Sequence, residues 1–197
     1  MPKVSEGHRQ ARREEIIAAA IRAFRAKGFA RASMADIIAE SGLSAGAIYG
    51  HFSGKRELLA ACAAELLSRR RGELDLAIER GEVPAPGEAL AMLMDGIVRD
   101  GLDPRALVQV WAEASLDPEL RATVNEALRM IRGVLERALR AWFTAHPEHA
   151  PHGVDEAVRS LLPVLVGLGP GFILQRALVD DFDEQAYLAC VRDLLPH

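Results

Sequence analysis

The residues between Ser33 and Phe52 combine small, hydroxyl and imidazole side chains at a spacing that suits contact with DNA. Two short helices are predicted here, one capped by Ser33 and one capped by Ser44, because serine side chains accept hydrogen bonds from the first backbone N–H groups of a helix. The turn 41–43 separates them, and Gly42 supplies the positive φ that such a turn requires. With one more helix before them, this spacing predicts a helix-turn-helix, whose last helix enters the major groove.

The predicted recognition helix, residues 45–52, has a thin leading edge of alanine and glycine, which allows its backbone to approach the bases. Tyr49, His51 and Lys55 follow at positions from which they are predicted to reach phosphates. Phe52 lies one turn after Ile48 and is predicted to be a core residue. The complete predicted set of DNA-binding residues is Arg31, Ser33, Ser44, Ala45, Gly46, Ala47, Tyr49, His51 and Lys55.

The charge distribution agrees with a DNA-binding first quarter. Residues 1–56 contain ten Lys or Arg and five Asp or Glu, a net charge of +5, whereas the whole chain of 197 residues has a net charge of −4. A basic end on an acidic body favours a local site for a polyanion. Charge alone leaves a second interpretation equally open, in which these residues only solvate helix faces.

Apolar periodicity near 3.6 residues predicts helices throughout, and no window alternates with the period of two that indicates a strand. Two Asp-Pro pairs, at 103–104 and 117–118, are helix start signals with an N-cap aspartate and a proline at the first helical position. The Pro- and Gly-containing stretch 81–87 is the clearest break in the chain. The helices are predicted at 8–27, 33–40, 45–52, 55–80, 88–100, 104–115, 118–142, 155–179 and 183–195.

Residues 12–59 resemble the DNA-binding domain of the tetracycline-repressor (TetR) family. The string Gly-Leu-Ser-Ala-Gly-Ala-Ile-Tyr-Gly-His-Phe at 42–52, followed by Lys55, carries most of the resemblance. It implies an all-α subunit of about nine helices, with a three-helix DNA-binding domain at 1–54 and a ligand-binding and dimerisation domain at 55–197. It also implies a homodimer that releases double-stranded operator DNA when a small ligand binds.

Three positions depart from the family pattern. Ala45 and Ala47 stand where the family often has a polar or basic residue and a threonine, so the recognition helix has few hydrogen-bond donors. Base readout is therefore expected to depend on Ser44, Tyr49 and methyl contacts to thymine, with arms bearing Arg9 or Arg12 adding minor-groove contacts. Ile38 replaces a common alanine, which affects the packing of the second and third helices. The weak donor set also favours an alternative function, a nucleoid or interaction module that binds DNA without small-molecule control.

The remaining helices are predicted to hold the ligand and the partner subunit. Met and Trp side chains beside isolated polar groups suit an adaptable pocket for a small apolar molecule, and the predicted contacts are Met94, Gln109, Trp111, Glu113, Met130 and Phe172. The last two helices carry more apolar surface than one subunit requires, and residues 167 and 171 form a Gly-x-x-x-Gly pair beside two prolines that also predict a kink. The predicted dimer interface is Leu161, Leu165, Leu168, Phe172, Tyr187, Val191 and Leu194.

Other classes of function have weaker signals. No glycine-rich phosphate loop or nucleophile elbow occurs, so neither an enzyme nor a bound cofactor is expected. The triplet His146, His149 and His152 is interrupted by prolines and is interpreted as a loop rather than a metal site. Cys62 and Cys190 are both predicted to face inward, and two such cysteines fit a cytoplasmic protein. The longest uncharged stretch, 16 residues between Arg159 and Arg176, is short for a membrane span, and no membrane partner is expected.

Overall fold

The computed structural model describes residues 6–99 and 103–197, apart from the side chains of residues 97 and 98. Within these residues the protein is entirely helical, which confirms the all-α prediction. The elements are α1 (Glu6–Arg31), α2 (Met34–Ser41), α3 (Ala45–Tyr49), α4 (Lys55–Glu79), α5 (Pro86–Arg99), α6 (Pro104–Leu116), α7 (Pro118–Ala145), a 3₁₀ turn (Pro147–His149), α8 (Val154–Leu178) and α9 (Glu184–Leu194).

The two Asp-Pro signals begin helices as predicted. The Asp103 carboxylate accepts a hydrogen bond from the backbone N–H of Arg105 at 2.9 Å, and Asp117 accepts one from Glu119 at 2.9 Å. Each aspartate therefore accepts a hydrogen bond from a backbone N–H group that has no partner within the helix at its start. The predicted end of the fifth helix, Asp100, lies outside the described residues.

The glycine predicted to stop the first helix does interrupt it. Gly28 takes the non-helical angles φ 72° and ψ 159°, and a further helical turn follows this kink to Arg31. One helix end differs from the prediction. The recognition helix α3 ends at Tyr49 rather than at Phe52. Gly46 and Gly50 lower its helix propensity, and the backbone then turns so that the N–H of Phe52 donates to Ile48 O at 3.0 Å.

The first hydrophobic core lies beneath the helix-turn-helix and extends beyond it. It joins buried residues of α1 to α4, among them Phe24 and Ile48, to Val110 of α6 and Leu120 of α7. Side chains from both sides of the proposed boundary at residue 54 share this core, so the division into 1–54 and 55–197 stays a prediction. α6 and α7 therefore belong to the same core as the helix-turn-helix, and α6 packs directly against α1.

The second core fills the body of the protein between α4, α5, α7, α8 and α9. Among the described residues one helix, α8, is long and apolar enough to cross a membrane by length and composition alone, a test that core helices of soluble proteins also pass. It contains Pro163 and Pro170, and it packs against α6 and α7. We therefore interpret α8 as a core helix with one outward apolar face.

Candidate nucleic-acid interface and ligand cavity

The start of the helix-turn-helix is fixed by a capping box at the N-terminus of α2. The backbone N–H of Asp36 donates to Ser33 Oγ at 3.2 Å, and the Asp36 carboxylate accepts from the Ser33 N–H at 2.9 Å and the Ser33 hydroxyl at 2.7 Å. Lys27 Nζ donates to the other carboxylate oxygen at 2.6 Å. The Ser33 hydroxyl therefore makes both of its hydrogen bonds within the cap of α2, and this capping role agrees with the sequence prediction.

These three contacts affect the acidity of Asp36. The hydrogen bond from Lys27, followed by the backbone and hydroxyl hydrogen bonds from Ser33, holds the pKa of the Asp36 carboxyl well below its ordinary value. Each contact is made to the charged form, and such contacts favour the carboxylate over the acid.

We expect acid to weaken the helix-turn-helix through Asp36. Because its pKa is lower in the folded than in the unfolded state, its stabilisation is complete above the unfolded value of about 3.9 and declines as the pH falls further. Thermal midpoints measured by circular dichroism from about pH 7 to about pH 2.5 should fall less steeply below pH 4 for Asp36→Asn than for the wild type. Asp180→Asn, an exposed carboxylate in the turn after α8, is the control. Parallel profiles for Asp36→Asn and the wild type would contradict this assignment.

The recognition helix presents one smooth outer face. Ile48 and Phe52 are buried beneath it, whereas Ser44, Ala45 and Gly46 are exposed and Tyr49 is 52% exposed. Ser44 caps the helix by accepting the N–H of Ala47 at 3.2 Å. The polar side chains on this face are therefore two hydroxyl groups, of Ser44 and Tyr49, and the rest is methyl groups and backbone.

The other residues predicted to contact DNA lie around this face and differ in their exposure and their contacts. Arg31 is exposed at the end of α1, where its guanidinium donates to Lys27 O at 3.1 Å. Ala47 and His51 are half-buried, and the His51 ring lies 6.4 Å from that of Phe52. Burial of Phe52, 2% exposed, confirms its predicted core position.

Lys55 occupies a different role from the predicted phosphate contact. Its ammonium donates to the carbonyl oxygens of Phe29 at 2.8 Å and Ala30 at 3.3 Å, and it lies 4.4 Å from the centroid of the Phe29 ring. A cation at the carboxyl end of a helix satisfies carbonyls that lack an intrahelical partner. Lys55 therefore acts as a brace between α4 and the end of α1.

Replacing Lys55 with methionine should destabilise the protein, because the alkyl packing is kept while the two charged hydrogen bonds are lost. We expect the free energy of unfolding to fall by about 1.5–3 kcal/mol, the range for hydrogen bonds to charged groups. Urea denaturation followed by circular dichroism measures this change. Arg9→Met, an exposed cation in α1, is the matched control. Equal denaturation midpoints for Lys55→Met and the wild type would exclude the brace.

The body of the protein contains an apolar cavity of about 140 Å³ between α4, α5, α6, α7 and α8. Met94 and Trp111 line it, as predicted. Gln109 and Glu113 are exposed on α6, so the structure contradicts their prediction as pocket residues. Met130 packs on the second core and Phe172 lies within it, and neither lines the cavity.

The sequence analysis missed most of the cavity wall. Aliphatic residues of α4 and α7, including Leu59, Leu66 and Ile131, line most of the cavity. Thr123 of α7 also lines it and contributes a hydroxyl-bearing side chain. In the sequence these residues have the same apolar periodicity as core positions. Nothing in that pattern distinguishes a side chain that meets a neighbour from one that meets a void.

The exposed apolar residues of α8 and α9 differ from those of the predicted dimer interface. Leu165, Phe172 and Val191 are buried inside the protomer and cannot meet a partner, so those three predictions are wrong. Leu161, Leu168 and Tyr187 are half-buried, and Leu194 is 83% exposed. The outward apolar residues of α8, which we call the outer stripe, recur at heptad-like spacing: Val164, Gly167, Gly171, Leu174 and Leu178.

The two cysteines and the histidine triplet are the remaining residues that the sequence singled out. Cys62 is buried and burial raises the pKa of its thiol to about 12, whereas Cys190 is exposed, so its predicted inward position is wrong. The rings of His146 and His149 lie 4.6 and 5.0 Å from the Trp142 ring. Across residues 6–99 and 103–197, no group of three His, Cys, Asp or Glu side chains is arranged to hold a metal ion.

Comparison with known proteins places this geometry in a family. Residues 16–62 match the family described as bacterial regulatory proteins, tetR family. The chain is 32% identical over 166 residues to the uncharacterized HTH-type transcriptional regulator Rv2912c of Mycobacterium tuberculosis (strain ATCC 25618 / H37Rv), an alignment covering 81% of this chain and 79% of the relative. The chain belongs to the TetR family. It is a DNA-binding helix-turn-helix transcriptional regulator, and α3 lies within the residues that match the family.

Other TetR-type and HTH-type relatives cover the chain less fully. The HTH-type transcriptional repressor Rv1474c of the same Mycobacterium strain is 33% identical over 135 residues, covering 66% of this chain and 71% of the relative. The uncharacterized regulator YfiR of Bacillus subtilis (strain 168) is 36% identical, and the chain spans only 53% of its length.

Solved structures share the whole fold. The regulator FadR from Bacillus subtilis, in complex with stearoyl-CoA, superposes with a TM-score of 0.68 at 19% identity, covering 92% of this chain and 96% of that one. This likeness confirms the TetR-like arrangement of helices.

Proposed function

We propose that the protein is a cytoplasmic homodimeric repressor that binds a palindromic operator and leaves it when a small apolar molecule enters the body. The apolar cavity of about 140 Å³ carries the ligand part of this proposal, because apolar pockets with few polar groups are typical small-molecule sites. The name of Rv1474c as a repressor and the stearoyl-CoA bound to FadR support the same interpretation.

The described contacts offer a route from cavity to DNA. Val110 of α6 lines the cavity and also belongs to the first core, which contains Ile48 of α3. At the start of α4, the Arg56 guanidinium forms ion pairs with Asp117 and, at 2.6 Å, with Glu119 at the start of α7. A ligand that prefers a different arrangement of α4, α6 and α7 therefore also changes the support of α3, which shifts the population away from the DNA-binding state.

On the DNA side, two α3 helices of a dimer must be about 34–36 Å apart to occupy successive major grooves. The small outer face of each α3 allows a close approach, and Ala45 and the Tyr49 ring suit contact with thymine methyl groups. Phosphate contacts then supply most of the affinity, which makes binding strongly dependent on salt.

Selection of bound sequences from a random duplex library tests the proposal. We expect enrichment of one palindrome whose half-site centres lie about 10 base pairs apart or a multiple of that spacing. The second candidate function, a nucleoid-type module, is favoured by the two-hydroxyl recognition face and predicts uniform recovery of the library. Uniform recovery at low salt would overturn the repressor proposal.

A further inference from the structure

A second, smaller cavity lies against the ligand cavity. It measures about 70 Å³ and occupies the junction of α1, α4 and α6. The same five side chains line both cavities, and we call them the shared wall: Leu59, Ala63, Leu66, Leu107 and Val110. Because each of these side chains meets both spaces, the partition between the cavities is one side chain thick.

The far side of the second cavity is formed by residues of the first core. Phe24, Phe29 and Cys62 line it there, and all three are buried in the first core. The rings of Phe24 and Phe29 are 5.6 Å apart, and the Phe29 carbonyl accepts the Lys55 ammonium. A group that enters this space therefore presses on the brace that fixes the start of α4, six residues after α3 ends.

The lining also defines the chemistry of the occupant. No charged side chain of the described residues lines the larger cavity, whereas Arg25 and Asp103 are found at the second one. An engineered apolar cavity of about 150 Å³ holds a molecule the size of benzene, so the larger cavity accommodates a compact apolar group by itself. A longer molecule has to displace the shared wall, whose aliphatic side chains move by changing rotamer.

We propose that the two cavities form one bent site for an elongated apolar molecule, and that DNA release requires its leading end to pass the shared wall into the second cavity. This inference rests on the proposed ligand-responsive function and adds a chain-length threshold to it. Compact molecules occupy the larger cavity and leave the first core undisturbed. Molecules with an alkyl extension reach the first core and release the operator.

The test uses the full-length protein, its selected operator and the probes benzene, ethylbenzene and n-butylbenzene. Binding is followed by the fluorescence of Trp111, which lines the larger cavity, and by the thermal midpoint, and release is followed by the anisotropy of labelled operator. At equal occupancy, we expect benzene and ethylbenzene to leave the operator bound and n-butylbenzene to release it.

Two sets of variants separate the cavities. Ala106 lines only the second cavity, so Ala106→Leu and the smaller Ala106→Val should keep benzene binding. Measured against each variant's own operator affinity, both should raise the n-butylbenzene concentration needed for release at least tenfold. Ala127 lines only the larger cavity, and Ala127→Leu should lose the binding of all three probes.

The outcomes distinguish this inference from the function on which it rests. Release by benzene as efficient as release by n-butylbenzene, or unchanged release from both Ala106 variants, would overturn the two-cavity site while leaving a ligand-responsive repressor. Failure of every probe to bind an operator-competent protein would overturn both.

Discussion

Replacing Ala45 with aspartate is expected to lower operator affinity by at least about 100-fold while leaving the protein folded. Ala45 is exposed at the first position of α3, on the face that we propose to meet DNA. An acidic residue in the first turn of a helix is favourable for the helix itself, so the fold does not suffer. Each subunit of a dimer, however, brings a negative charge against the DNA backbone, and opposed like charges cost several kcal/mol. Fluorescence anisotropy at fixed ionic strength measures the loss.

The matched control is Ala145→Asp, which makes the same change at an exposed position near the end of α7, far along the chain from α3. It should bind the operator like the wild type. The thermal midpoint of Ala45→Asp should stay close to that of the parent, and that of Ala145→Asp should be slightly lower, because a negative charge at the carboxyl end of a helix is unfavourable. If Ala45→Asp bound the operator normally, α3 would not be the helix in the groove.

Arginine substitutions on the outer stripe should produce the second large effect. Leu174 and Leu178 are 45% and 68% exposed and share one face of α8. If two copies of α8 pack through this face, Leu174→Arg with Leu178→Arg places four cations in an apolar contact, and unpaired buried charge is strongly unfavourable. We expect a monomer by analytical ultracentrifugation. Operator affinity should fall by about 100-fold or more, since linked half-sites gain about 10²–10⁴ from avidity.

Leu76→Arg provides the comparison for this double variant. Leu76 is 52% exposed on α4, outside the outer stripe, so its substitution adds a cation to an apolar surface position without entering the proposed interface. It should remain dimeric. A dimer formed by the Leu174 and Leu178 double variant would place the interface elsewhere on the protein.

Sequence periodicity and local signals were sufficient for the secondary structure and for the location of α3. Ser33, Ser44, Asp103 and Asp117 act on N–H groups two or three residues away. Such contacts depend on the local chain alone, so helix starts could be predicted from the sequence. The end of α3 was predicted less well, because the apolar spacing of Ile48 and Phe52 continues past Tyr49 although Gly46 and Gly50 lower the helix propensity there.

The functional residues were likewise predicted well where their surroundings depend on neighbouring residues in the chain, and less well where they depend on distant ones. Exposure of Ala45, Gly46 and Tyr49 follows from the opposite, apolar face that Ile48 and Phe52 define. By contrast, Lys55 was predicted to meet DNA, and only the approach of α1 shows that Phe29 and Ala30 occupy its ammonium. Partners 25 and 26 residues away leave no local trace in the sequence.

The sequence by itself determined that the described part of the chain is helical, where its helices begin and which short helix has an exposed face of small residues, because these properties arise from hydrogen bonds and periodicity within a few residues. Tertiary structure decided which apolar side chains of α8 and α9 point inward, where the two cavities lie and which charges are paired. The physical reason is that an apolar residue at a helical spacing satisfies a core, a cavity wall or an interface equally well. Only the position of the neighbouring helices selects among them.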